Sequence, residues 1–304
     1  MITPPPIIYS VFAYVANPGN NTVSIIDTET NLMIYNILVR SIPYRLAITP
    51  DGMRIYVANY GDLTISVIDT IANAETATIF TGGDPSGLAI TPDGTRIYVT
   101  NEDNNTISVI DIATNTVIST VYVGTNPNEM AITPDGKYTY VTNSGSDNVS
   151  VINTNTVVST ISVGYKPSGL AITPDGNHAY VTNKFSDNVS VINTDINKVI
   201  STIFVGYKPS GIAITPDGNH AYVTNVGSNN ISVINTATNT VTATVFVGDA
   251  PSGIAITPDG THVYVTNEFN DNVSVINTAT NTVTSTIDIK INSFPIRILI
   301  KNCM

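Results

Sequence analysis

At 304 residues the chain is long enough to bury a large core without covalent staples, and one cysteine, Cys303, excludes a disulfide framework. Charged residues make up only 12% of it, while Thr, Asn, Ser, Val and Ile dominate, as in strands joined by polar turns. The formal charge of −11, from 12 basic and 23 acidic residues, argues against a surface that tracks phosphates, so no nucleic-acid partner is expected.

From the N-terminus, residues 1–30 show no basic segment followed by an apolar run, so no signal peptide is visible, and no stretch approaches a membrane span. Met1 to Pro6 is a poor inner strand, because three successive prolines remove ladder donors. Tyr14-Val-Ala-Asn17 then reads as a strand, followed by strands at Val23–Asp27 and Met33–Val39. A turn follows at Thr49–Gly52 and recurs at Thr91, Thr133, Thr173, Thr215 and Thr257, always Thr-Pro-Asp-Gly. Proline presets φ, aspartate bonds nearby backbone and glycine supplies the positive φ that reverses the chain.

The Tyr-Val-x-Asn strand begins at Tyr14, Tyr56, Tyr98, Tyr140, Tyr180, Tyr222 and Tyr264, a spacing of 42 residues with a single 40 after Tyr140. A fixed period of this length, filled only with strand-like segments, predicts a propeller. Each repeat parses into four short strands, a to d; in the sixth they are Gly211–Thr215, Ala221–Asn225, Ile231–Asn235 and Thr240–Val247. Neither face of these strands is clearly polar, as a blade packed between two others requires. Alanine recurs on strand a, at Ala47, Ala89, Ala131, Ala171, Ala213 and Ala255, where inner strands crowd the axis. The first repeat lacks strand a. Pro295-Ile-Arg-Ile-Leu-Ile300 has the spacing of Pro43-Tyr-Arg-Leu-Ala-Ile48, so residues 295–300 are expected to close the ring, with Leu299 in the alanine position. The expected fold is all-β: residues 1–304 as a single seven-bladed propeller of four-stranded antiparallel blades.

The repeated Tyr-Val-Thr-Asn, Thr-Pro-Asp-Gly and Val-Ser-Val-Ile-Asn segments resemble the YVTN family of β-propeller repeats, which includes domains of archaeal surface-layer proteins. The resemblance spans about residues 7–300 and implies a seven-bladed scaffold at a cell surface or outside the cell, although the missing signal peptide leaves a cytoplasmic place open. Six turns between strands b and c carry an N-glycosylation pattern, at Asn20, Asn104, Asn148, Asn188, Asn230 and Asn272. The repeat copies this pattern without cost, since Asn suits the turn and Ser or Thr the strand after it.

Catalysis finds little support in the residues. His178, His220 and His262 occupy one repeated position, too far apart in adjacent sheets for one metal, so neither a metal nor a cofactor is expected. Glu102-Asp103 and Glu268 read as turn residues, and six of the seven inner positions are alanine. The expectation is a non-catalytic scaffold, not an enzyme, recognising a protein or glycan. The rivals are a small-molecule enzyme using the axial pocket, by analogy with lactonase or quinoprotein propellers, and a single-stranded nucleic-acid binder. Repeats differ most where the d–a and b–c loops share one face, the usual place for recognition. There Tyr44, Arg45, Glu129, Lys166, Lys184, Phe185, Lys208 and Arg297 depart from the common residues. Arg45 and Arg297 are expected to hold a carboxylate or phosphate together, with Glu129 across the mouth.

Overall fold

The structure is a computed structural model, and it describes residues 10–289, 293, 295 and 297–303. These form seven four-stranded antiparallel sheets. Six take their strands consecutively, as in blade six: Pro209–Ile214, His220–Asn225, Asn230–Asn235 and Thr240–Phe246. Blade one is composite. Its inner strand, Arg297–Cys303, pairs antiparallel with Ser10–Asn17, setting Leu299 opposite Tyr14 just as Ala47 stands opposite Tyr56. The C-terminal closure is therefore present, displaced slightly from the expected 295–300; Ile296 lies outside the described residues.

The Thr-Pro-Asp-Gly turns do what their chemistry predicts. Thr49 Oγ1 bonds the Asp51 carboxylate and accepts Arg54 N at 3.1 Å, Asp51 Oδ1 accepts Met53 N at 2.9 Å, and Gly52 sits at φ 74°. The Thr49 hydroxyl, first among several donors, holds the Asp51 carboxyl below the usual carboxylate range.

Strands b and c are buried on both faces, but strand d is not: in blade six only Val245 is fully covered. The outer strand has one lateral neighbour and open solvent beyond it. Core clusters lie between successive sheets. One joins Tyr264, Val273 and Val275 of blade seven to Ala13, Val15 and Ile298 of blade one, so apolar burial itself closes the ring. Each such Val or Ile contributes about 1.5–3 kcal/mol. Blades are also stitched by polar bonds. Tyr140 Oη donates to Asn197 Oδ1 of the next blade at 2.6 Å, and Tyr264 to Asn31, across the closure, also at 2.6 Å. Both asparagines adopt positive φ in c–d turns, where their short side chains are tolerated.

Strand a carries the irregularity that builds the site. Its register slips between Pro209 and Ile212, and equivalently between Pro43 and Arg45 and between Pro127 and Met130. Such a bulge re-aims side chains out of the ladder. In these blades the residues after the inner proline are thereby released toward the channel mouth.

Candidate functional site at the channel mouth

The position two residues after the inner proline forms one layer around the channel: Arg297, Arg45, Gly87, Glu129, Gly169, Gly211 and Gly253, blade by blade. In blades with Thr on strand b, its hydroxyl catches the bulged N–H, as Thr224 Oγ1 accepts Gly211 N at 2.7 Å. Blades one and two carry Ala there instead, and these Ala16 and Ala58 stand opposite Arg297 and Arg45.

Arg45 is only 4% exposed. It reaches past blade three: Nε donates to the Ser86 carbonyl at 3.1 Å, and Nη2 to Asn128 Oδ1 at 3.1 Å and to Glu129 Oε2 at 2.9 Å. Burial pushes the Glu129 carboxyl up, while Arg45 pulls it back. The expected arginine clamp is therefore corrected. Arg45 is committed to Glu129, and Glu129 lies in contact with it rather than free across the mouth.

Above this pair a cavity of about 390 Å³ opens on the d–a/b–c face. Arg297, Tyr44, Lys166, Lys184, Phe185 and Glu268 line it together with Asn128 and serines of blades four to seven. Below it a chamber of about 200 Å³ shares Arg297 and Ser252, has Arg45 and Glu129 in its wall, and is floored by branched aliphatics including Leu170 and Ile212. Of the expected recognition residues, the fold thus gathers Tyr44, Lys166, Lys184, Phe185 and Arg297 at one mouth. Lys208 is not among the lining residues; its Nζ rests 5.4 Å from the Tyr207 ring centroid.

Glu268, read from the sequence as a turn residue, also lines this cavity. It follows the buried Asn267 of strand b, in a short 3-10 turn, and points into the cavity mouth. Burial raises its carboxyl above the ordinary value, with Lys184 opposing. Glu102, at the same turn position in blade three, is raised first by burial and then by Asp103 and Asp84. The available signal was variety. The residue after the repeated Asn is Pro18, Tyr60, Glu102, Ser144, Lys184, Val226 and Glu268, while the Asn itself never changes. The strand-a alanines, expected at the axis, pack instead into the clusters between blades, as Ala47, Ala89, Ala131, Ala171 and Ala255 do, while glycines and branched aliphatics line the chamber and unlike polar groups gather at the bulge and the b–c turns.

The six sequon asparagines are tied into their turns. Asn148, Asn188, Asn230 and Asn272 each accept the amide of the buried strand-b Asn at 2.8 Å. Asn20 donates to Ser293 Oγ at 3.2 Å and Asn104 to the Gly82 carbonyl at 2.7 Å. Among the described residues no helix is long and apolar enough to cross a membrane.

Solved structures share the fold. A chain of Kuenenia stuttgartiensis hydrazine synthase is 26% identical, with TM-score 0.81, over 88% of this chain and 92% of that one. A candidate 6-phosphogluconolactonase from Bacteroides fragilis NCTC 9343 is 20% identical, with TM-score 0.84, over 99% and 100%. One from Bacteroides uniformis ATCC 8492 is 18% identical, with TM-score 0.82, over 97% and 100%. No curated protein matches in sequence. A family model described as "Lactonase, 7-bladed beta-propeller" matches residues 12–163, 121–201 and 170–291. This match overturns the expectation of a non-catalytic scaffold and favours the enzyme alternative. The chain belongs to the lactonase family of seven-bladed β-propellers.

Proposed function

We propose that this protein is a hydrolase that opens a small anionic lactone at the channel mouth. The observation that carries the reading is one half-buried carboxylate, Glu268, in a cavity whose other charged lining residues are Arg297, Lys166 and Lys184. A carboxylate whose pKa is raised toward working pH suits general-base catalysis, and cations suit the charge that develops on a carbonyl oxygen. Glu268 takes a proton from water as its oxygen bonds the lactone carbonyl carbon. Lys184, beside Glu268, stabilises the resulting oxyanion. The ring C–O bond then breaks, and Glu268 returns the proton to the departing ring oxygen, leaving a hydroxy acid. Arg297 and Lys166 hold an anionic substituent of the substrate. Family membership and the two neighbours described as candidate 6-phosphogluconolactonases support a phosphorylated sugar lactone.

The test is acid release from 6-phosphoglucono-δ-lactone and from a panel of neutral lactones, against spontaneous hydrolysis. Turnover of the anionic lactone and a loss of about 10²–10⁴-fold in kcat for Glu268→Gln are expected. No acceleration with any lactone, or full activity in Glu268→Gln, would overturn the reading.

A further inference from the structure

Two guanidinium groups flank one aromatic ring at this mouth. Arg297 Cζ lies 5.6 Å from the Tyr44 ring centroid and Arg45 Cζ lies 5.4 Å from it. The ring in turn leans on Tyr60, with centroids 6.0 Å apart and planes inclined by 47°. The corresponding residue in blades three to seven is Ser86, Asn128, Ser168, Ser210 and Ser252, none of which can supply a π face.

Two cations beside one ring repel each other unless one is neutralised, and Glu129 neutralises Arg45 at 2.9 Å. Arg45 is also held by Ser86 and Asn128, so it serves as a fixed lower wall. Arg297 is the member of the pair that lines both the mouth and the chamber beneath it. It stands on the closing strand of blade one, whereas Tyr44 stands on the first inner strand of blade two. The contact therefore spans the blade boundary beside the closure. A guanidinium on a flexible stem loses less freedom on binding an oxyanion if a ring already holds it in place.

We propose that Tyr44 is a positioning residue, whose ring holds the Arg297 guanidinium at the mouth so that Arg297 receives the oxyanion of the ligand. The inference rests on the lactone-hydrolase reading in taking the mouth as the substrate site, but it concerns binding rather than turnover. Phosphate and carboxylate would both satisfy a guanidinium, and the two arms of the experiment separate them.

Calorimetric titration with 6-phosphogluconate and with gluconate tests it, using wild type, Tyr44→Phe, Tyr44→Leu, Arg297→Gln and the Tyr44→Leu/Arg297→Gln double variant. Thermal melts confirm that each variant is folded. The expected result is that Tyr44→Phe binds within about twofold of wild type, while Tyr44→Leu loses about tenfold. In the Arg297→Gln background the Tyr44→Leu loss should shrink below about twofold, because the ring then has no guanidinium to hold. Binding of 6-phosphogluconate alone identifies phosphate as the group received; binding of both identifies the carboxylate. Failure of both to bind wild type overturns the proposal, as does a Tyr44→Leu loss that is absent or undiminished without Arg297. Tyr44-dependent anion binding without lactone hydrolysis would leave this inference standing and remove the hydrolase reading.

Discussion

Arg45 and Glu129 stand on inner strands separated by an entire blade, yet their charged ends meet at 2.9 Å. On the way Arg45 Nε donates to the Ser86 carbonyl of the blade between, at 3.1 Å. A buried pair of this kind is worth little relative to apolar residues, but removing one partner strands the other. Glu129→Ala should therefore cost about 3–5 kcal/mol, and Arg45→Leu/Glu129→Leu considerably less. Denaturant titration of the three proteins checks this; equal losses would show that the pair is not the relevant unit.

Gly87, the next residue after Ser86, is tightly constrained. A Cβ there would fall 2.1 Å from the Asn128 carbonyl oxygen, which is backbone and cannot swing away. Gly87→Ala should destabilise by about 1–3 kcal/mol, as overpacking does. It should also weaken lactone hydrolysis, since Asn128 lines the mouth. A melt unchanged from wild type would contradict the interblade packing described above.

Deleting residues 297–303 removes the inner strand of blade one and leaves Ser10–Asn17 with an unpaired edge. An exposed inner edge templates pairing with other chains. The truncated protein should melt markedly lower and aggregate on heating, as light scattering would report. A truncation that melts with the full-length chain would place the closure elsewhere.

The base role proposed for Glu268 sets the pH dependence expected of hydrolysis. Its carboxyl titrates above the ordinary Glu value because burial disfavours the charge. As a base it works only when deprotonated, so kcat/KM should fall as pH drops through that raised pKa. Lys184 favours the charged form, so Lys184→Met should shift the acidic limb to higher pH. A limb that stays put on this substitution would assign it to another group.

Acid should unfold the propeller through its turns. Asp51, Asp93, Asp135, Asp175 and Asp217 all have lowered pKa values, chiefly from the neighbouring Thr hydroxyl. A folded-state pKa below the unfolded one contributes stability that is present above the unfolded value and lost as pH falls through the folded one. With an ordinary value of 3.8, the melting temperature should hold at neutral pH and decline below about 4. Thr173→Val should raise the pKa of Asp175, an effect measurable by carboxyl NMR.

Much of this architecture was legible in the residues themselves, because a propeller is built from local rules repeated. The Thr-Pro-Asp-Gly turn, present six times, and the buried Tyr, present seven times at a spacing near 42, need only neighbouring residues to act, so the seven tyrosines announce seven blades. Even the closing strand could be found, since Pro295 and Arg297 keep the spacing of Pro43 and Arg45. The site was less accessible. Tyr44, Lys166, Lys184, Phe185 and Arg297 stood out as departures from the repeat, but their companion Glu268 looked like an ordinary turn residue. What separates it from a solvated turn acid is burial and the presence of Lys184, 84 residues earlier in the chain. Likewise, two arginines in equivalent positions looked like one clamp, until Glu129 proved near enough to claim Arg45. Charges compete for partners through space, across blades whose order in the ring brings distant segments together. Only the closed ring decides which side chains share a cavity, which are desolvated, and which of two arginines an acid from a distant blade claims.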